Sequence, residues 1–490
     1  DVCRDEIRCW GANYNGQLGY GDTRTRGIVD GDFARDVVDL GAIGVHPAFE
    51  VGGYERAAEP TPPDAIEALT VCGFSTCAIV ALGRVVCWGR DNAGQLGAFK
   101  GSDVYSAVEA VPVFFGYDES HGPARDYTFF AKQVSCGEED ACAILEDESL
   151  ACWGTNRAGQ LGIGGSNGFR GLSVSDDPNG LTSRVPVLDR GGAPAKIVNH
   201  CQGKYFGCAA TSEGDTWCWG EELNGVLGSG KNSGAATPPT RVDLGADENG
   251  APLRAVALSC AKQAVCAVFD DGRTKCWGNN NKRQLGYWHG SDTDKLGDEP
   301  GEMGDALPFL HAGEGRRVLK LSAGSNWFCA LLDTREVKGW GYNGFGQLGL
   351  NIDDDKRSLT ELDGTPSDER DTIVDLGSDA FCRPLRVVDV AAMQYSACAL
   401  FESGRVKCWG QGANGRTGLG SHTNTGRIAG DVIAALPFVD LGTGWRVKRF
   451  AASSYSADHM CAVLVPDGTD PAAASGAEQE KVKCLILELG

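Results

Sequence analysis

The chain has 490 residues, with 45 Lys plus Arg against 66 Asp plus Glu and a formal charge of −21. That balance, with no Lys/Arg-rich run, argues against a nucleic-acid backbone or an anionic membrane as partner, and the acidity reads as a solvated, aggregation-resistant surface. No apolar run approaches the roughly eighteen residues a membrane-spanning helix needs.

The first residues are Asp1 to Cys3, without a basic-then-apolar leader, as expected of a mature N-terminus after signal-peptide removal. At Cys9 to Gly19 the chain reads CWGANYNGQLG; CWGRDNAGQLG follows at Cys87, CWGTNRAGQLG at Cys152, and looser versions four more times. The Trp-Gly pair recurs at Trp10, Trp88, Trp153, Trp219, Trp277, Trp340 and Trp409. A catalytic site needs one copy of its residues, so a motif written seven times reads as architecture.

Between consecutive copies the sequence predicts four strand-like runs. The first ends in Gly, as VVDLG at Val37, RVDLG at Arg241, IVDLG at Ile373 and FVDLG at Phe438, with degenerate copies at Val111, Val185 and Pro308. The second alternates apolar with polar residues, as AKQVSC at Ala131; the third is CAI, CAA, CAV or CAL; the fourth is VVCWG, LACWG, TWCWG, TKCWG or VKCWG. Short, β-branched runs bounded by Gly and Asp are strands. The fold expected is all-β: a closed seven-bladed β-propeller of four-stranded antiparallel blades with long surface loops, one domain over residues 1–490. In the motif WGxNxxGQLG the glycines permit tight reversals, the Asn holds a turn, and Trp and Leu pack between adjacent sheets as the blade joint.

These residues resemble the propeller family named for the regulator of chromosome condensation, over nearly the whole chain. Departures stand at Gly339, where Cys precedes Trp in the other units, at Val226 for Gln, and at Arg416-Thr417 for Gln-Leu. Those joints are expected to pack less well. The resemblance implies a regulator, since bacterial relatives inhibit β-lactamase and nuclear ones exchange nucleotide on a small GTPase.

Twenty cysteines without CxxC or zinc spacing imply an oxidising compartment, and the seven histidines, at 46, 121, 200, 289, 311, 422 and 459, share no common position. In CAVFDDGRTKC a turn at Asp270-Asp271-Gly272 pairs Phe269 with Arg273 and sets Cys266 opposite Cys276. The same spacing predicts Cys77–Cys87, Cys142–Cys152, Cys208–Cys218 and Cys398–Cys408, each contributing roughly 2–3 kcal/mol. Cys461 and Cys484 occupy these slots in the last unit. Their pairing with Cys3 and Cys9 stays open between Cys3–Cys9 with Cys461–Cys484 and a crossed arrangement tying the termini. Cys72–Cys136, Cys201–Cys260 and Cys329–Cys382 are candidate bonds between neighbouring units, with free buried thiols as the alternative. IRCWG at Ile7 and VKCLILELG at Val482 both carry a fourth-run pattern, so both termini are expected side by side in the closing blade, with Cys3, Cys9, Cys461 and Cys484 in one cluster.

No nucleophile elbow or Ser-His-Asp spacing supports the Gly/His stretches at Gly418 and His289, so no enzyme activity and no cofactor are expected. Asp353 to Asp355 and Asp292 to Glu302 read as solvated acidic loops, able at most to hold calcium weakly in calcium-rich media, and no metal site is expected. No Asn-x-Ser/Thr acceptor occurs, so N-glycans are not expected. The long loops 42–66, 98–110, 117–130, 163–183 and 350–372 differ from unit to unit and are the expected binding regions. The function expected is a secreted or surface-exposed, extracellular binding and assembly module, such as a subunit of a filament, appendage or coat. Its partner would be a protein, copies of itself, a fibre-forming partner or a glycan. The alternative is an inhibitor or regulator of a partner enzyme acting through its loop face.

Overall fold

Runs of five or six residues, β-branched and closed by tight turns, form seven small antiparallel sheets in the computed structural model. The structure describes residues 5–29, 36–40, 66–80, 83–97, 103–104, 113, 115, 130–166, 169–170, 184–287, 295–357, 359, 372–379, 381–428, 430–453 and 455–467. Sheet one comprises Ile66–Val71, Ser75–Val80 and Arg84–Gly89. Sheet two comprises Ala131–Cys136, Asp140–Leu145, Leu150–Thr155 and Phe169–Arg170. Sheet three comprises Ile197–Gln202, Phe206–Thr211, Thr216–Glu221 and Ala236–Val242. Sheet four comprises Ala255–Cys260, Ala264–Phe269 and Thr274–Gly278. Sheet five comprises Val318–Ala323, Trp327–Leu332, Val337–Tyr342 and Lys356–Arg357. Sheet six comprises Val387–Ala392, Ser396–Phe401 and Val406–Gly410. The closing sheet takes its first two strands, Trp445–Phe450 and His459–Pro466, from one end of the chain and its third, Glu6–Gly11, from the other.

The first strands lie innermost. Each touches the next sheet's first strand from sheet one through the closing sheet, and the closing sheet touches sheet one. There Ala452-Ser453 pairs in parallel with Thr70-Val71. All seven first strands carry a bulge near the start, at Glu67, Lys132, Val198, Val256, Leu319, Val388 and Lys448. One unpaired residue there bends and twists the strand where the sheets crowd together. The second strands of sheets one to six are buried along their whole length and carry the core.

One assignment from sequence is corrected. The VDLG-type run does not open a sheet; it flanks the third strand of the sheet whose CWG precedes it. Val38 N–H donates to the Ile7 carbonyl, Val113 to Val85, Val185 to Leu150, Leu310 to Thr274, Val374 to Val337 and Val439 to Val406. In sheet three the run is a full fourth strand, Val242 standing opposite Thr216. Sequence order makes the run look like a beginning, but a chain leaving the third strand turns back along its free edge first. The GQLG turn therefore connects two strands of one sheet while its far side packs on the next.

That packing repeats around the molecule. The indole N–H of Trp88 donates to the Gln17 carbonyl at 3.1 Å, Trp153 to Gln95 at 3.0 Å, Trp219 to Gln160 at 2.9 Å and Trp277 to Val226 at 3.0 Å. Trp340 donates to Gln284, Trp409 to Gln347 and Trp10 to Arg416, each at 3.0 Å. The last glycine of the motif abuts the same ring: a Cβ on Gly19, at φ +79°, would lie 2.6 Å from Trp88 Nε1. Val226 and Arg416 therefore do not weaken their joints, because the acceptor is a backbone carbonyl that any residue supplies. The Gln side chain serves its own turn, as Gln17 Oε1 does in accepting from Asn15 N–H at 2.9 Å. The Asn closes the same loop, with Leu18 N–H on Asn13 Oδ1 at 2.9 Å. Lys275, buried in sheet four, adds a further tie by donating to the Leu244 and Gly304 carbonyls, both at 2.9 Å; Lys407 reaches Leu376 at 3.0 Å in the same way.

Trp88→Phe removes the indole donor and leaves the Thr76 hydroxyl as the remaining donor to the Gln17 carbonyl, so it should cost about 0.5–1.5 kcal/mol by urea denaturation. Gln17→Ala, which keeps that carbonyl, should cost less than half as much.

Candidate interaction surface

Two faces offer themselves, one at each end of the strands. On the first, hairpins between second and third strands meet the start of the next sheet's first strand. Opposite charges neutralise one another there. Lys196 pairs with Glu148 at 2.7 Å, and Lys132 approaches the same carboxylate at 3.9 Å. Arg190 and Arg241 flank Asp215 at 2.9 and 2.6 Å, Arg254 meets Asp270 at 3.7 Å, and Arg386 meets Glu402 at 3.9 Å. A cleft of about 440 Å³ beside this belt is lined by Asp247, Glu248, Arg254, Asp270, Asp271 and Arg273.

On the opposite face the loops between first and second strands close round the axis. Gly73 N–H donates to the Gly137 carbonyl, Lys204 to Lys262, Lys262 to Ser325, Ser325 to Gln394 and Gln394 to Ala457, at 3.0 to 3.2 Å. Outside this annulus stand the joint loops with an aromatic cluster. Phe345 and Tyr395 are 4.9 Å apart between centroids, and Tyr342 lies 6.1 Å from each.

The buried polar groups do not assemble a reaction centre. His200 bonds Ser135 Oγ at 2.5 Å and stacks on Trp219, and His459 bonds Thr76 Oγ1 at 2.7 Å. Burial holds both rings neutral, down at about 3, and both imidazoles are shut off from solvent. Cys142, Cys152 and His200 sit within metal-binding distance of one another, but the two sulfurs are bonded together and offer no thiolate. Asp140 is buried against Gln202, which donates to it, and burial drives its carboxyl up to about 8.

The expected binding loops fall largely outside the described residues. Loop 42–66 contributes only Ile66 and loop 117–130 only Phe130. Loop 98–110 contributes residues 103–104, where Val104 bridges Gly89. Loop 163–183 contributes residues 163–166 and 169–170. In loop 350–372, Asp353 and Asp355 clamp Arg427 at 3.0 and 3.1 Å, so those carboxylates are engaged rather than merely solvated. Asp292 and His289 lie outside the described residues; Glu302 accepts three backbone N–H bonds, from Gly297, Asp298 and Glu299.

The structure joins Cys77 to Cys87, Cys142 to Cys152, Cys208 to Cys218, Cys266 to Cys276 and Cys398 to Cys408, with opposed Cα atoms 4.0 to 4.1 Å apart. Between sheets it joins Cys72 to Cys136 and Cys201 to Cys260. Cys9 bonds Cys461 across 452 residues, the crossed arrangement rather than Cys3–Cys9; Cys3 and Cys484 lie outside the described residues. The Cys329–Cys382 pairing is wrong. Cys329 faces Gly339 across its hairpin and is buried, whereas Cys382 is exposed in the tight loop closed by Asp379. Two cysteines left over by sequence need share no location.

Residues 318–347 match the family model of the regulator of chromosome condensation (RCC1) repeat. The ultraviolet-B receptor UVR8 of Arabidopsis thaliana is 25% identical over 366 residues, covering 74% of this chain and 68% of the receptor. The human E3 ubiquitin-protein ligase HERC2 is 26% identical over 274 residues, which are 55% of this chain but 5% of that protein. Among solved structures, human WBSCR16 superposes with a TM-score of 0.63 at 18% identity, over 95% of this chain and 99% of the other. Yeast RCC1 (Prp20), bound to Kap60, gives 0.61 at 16% identity, over 99% and 92%. The fold is that of the RCC1 propellers. The described residues form seven sheets of three or four strands, several of them stapled by disulfides.

Two outcomes follow for this propeller. Burial pushes the Cys329 thiol up to about 12, so in the native protein iodoacetamide should label Cys382 and leave Cys329 intact until unfolding, as read by peptide mass spectrometry. Asp140 has a folded pKa above its unfolded one, so its contribution is greatest in acid and is lost as pH rises toward about 8. Asp140→Asn should therefore raise the Tm in alkaline buffer, with the gain vanishing below about pH 4.

Proposed function

We propose that this chain is a non-catalytic protein-binding propeller, closed as a ring of seven blades and working in an oxidising, extracellular or cell-surface setting. The observation that carries the reading is the Cys9–Cys461 bond. It ties two strands from opposite ends of the chain within one sheet, a covalent clasp on the pair that closes the ring. Seven further disulfides staple hairpins or neighbouring sheets, and a reducing compartment would keep such thiols apart. Protein binding is supported by the yeast relative, which is solved with Kap60 and described for binding to Gsp1p and histones.

Assembly into an extracellular filament, appendage or coat is the finer reading, because a clasped, stapled ring tolerates load and proteases. Regulation of a partner enzyme is the alternative use of the same scaffold, in line with a receptor and ubiquitin ligases among the relatives. Electron microscopy of the native material separates the two: ordered polymers favour assembly, and isolated rings favour regulation. Non-reducing peptide mapping of freshly isolated protein should recover Cys9 linked to Cys461. Free, alkylatable Cys9, Cys77 and Cys266 in that material would overturn the oxidising setting.

A further inference from the structure

The annulus face carries cations that the rest of the molecule does not neutralise. Lys204, Lys262 and Lys282 stand on sheets three and four, and among the described residues none of them makes an ion pair. In a chain with 66 acidic residues against 45 basic ones this is unexpected, and on the opposite face Lys132, Lys196, Arg190, Arg241, Arg254 and Arg386 do meet carboxylates. Glu221 lies within electrostatic reach of Lys204 without pairing with it.

The lysines are set beside one exposed ring, Tyr205, and the half-buried rings Tyr342, Phe345 and Tyr395. Lys204 Nζ lies 4.9 Å from the Tyr205 ring, and Lys282 Nζ lies 5.3 Å from the Tyr342 ring in the cluster with Phe345 and Tyr395. Lys204 and Lys262 are neighbours through a backbone hydrogen bond of 3.1 Å. Tyr205 is itself held at φ +73° and is 41% exposed. A bulky residue is seldom held in the left-handed region, and such strain clusters where a side chain is presented for use. The amides of Gln263, Asn281 and Asn326 also belong to these loops and retain partial or full exposure.

The geometry points to this arc, from Tyr205 through Lys262 and Lys282 to Tyr395, as a docking surface for an extended acidic peptide segment of a partner protein. Lysines attract carboxylates, rings cover apolar side chains, and carboxamides both donate to and accept from an extended backbone. A sulfated or phosphorylated polyanion presents acceptors and would leave the amide oxygens without donors, so the peptide is the better fit. The inference rests on the protein-binding reading above.

The test is fluorescence anisotropy of the full chain with a labelled peptide alternating Glu and Leu, its Gln-for-Glu counterpart, and heparin as competitor. The Glu peptide should bind, weaken with salt, and lose at least about tenfold in affinity when Lys204, Lys262 and Lys282 are all changed to Ala. Changing Lys132, Lys196 and Arg386 to Ala alters net charge equally on the other face and should leave binding within about twofold. Tyr205→Gly relieves the backbone strain, so it should weaken binding without lowering the Tm. Equal loss in both triple variants, equal binding of the Gln peptide, or heparin binding that depends on the same lysines and exceeds that of the peptide would overturn the proposal. Each of those results would leave the peptide-mapping and microscopy tests of the protein-binding reading untouched, so the two can fail separately.

Discussion

The hydrogen bond from each joint tryptophan to a carbonyl of the preceding sheet is the constraint on which the rest of this molecule depends. It recurs at all seven joints with donor–acceptor distances of 2.9 to 3.1 Å, and every ring involved is buried. A large aromatic fills the wedge between two twisted sheets, and its one polar atom must find a partner there. A backbone carbonyl in a fixed turn is a partner that does not depend on side-chain identity. This explains why the turn is built so strictly, with an Asn, a Gln and glycines each closing part of one loop, while the acceptor residue varies among Gln, Val and Arg.

The covalent links follow the same plan and add to it unevenly. Staples across the hairpins lie within sheets and do nothing for the joints, whereas Cys72–Cys136 and Cys201–Cys260 lie between sheets and reinforce them. Sheet five lacks a staple because Gly339 stands opposite Cys329, and it is held by packing, by Trp340 on Gln284 and by Lys320 paired with Asp389 of sheet six. The closing sheet has a different problem. Its third strand comes from the other end of the chain, so separation there costs no local loop and opens the ring. Cys9–Cys461 blocks that route.

A rigid ring of this kind leaves function to what its loops present. The two ends of the strands differ in electrostatic character although the overall charge is strongly negative. Hairpin turns at one end are crossed by ion pairs, each partly exposed and worth little individually. The annulus end is tied by backbone hydrogen bonds, which leaves its lysines and rings unengaged. Ion pairs on this end include Arg427 with Asp353 and Asp355 beside Tyr342, and Arg416 with Asp458.

Much of the architecture was legible in the residues. The repeated Trp-Gly, the strand runs between copies and the hairpin register that faces Cys266 with Cys276 are local, with their physical causes a few residues away, so spacing alone determined them. Long variable loops stand out as candidate binding regions because length is visible in a sequence. The unpaired lysines instead sit in short turns that look ordinary until neighbouring sheets bring Lys204, Lys262 and Lys282 onto one face. What only the tertiary structure decided is which distant residues meet. The VDLG run attaches to the strand before it, Cys9 takes Cys461 as partner, and Cys329 and Cys382 part company. The reason is physical: sequence order orders strands within a sheet, but the neighbour across a joint or a closing edge is chosen by how the sheets pack around a common axis.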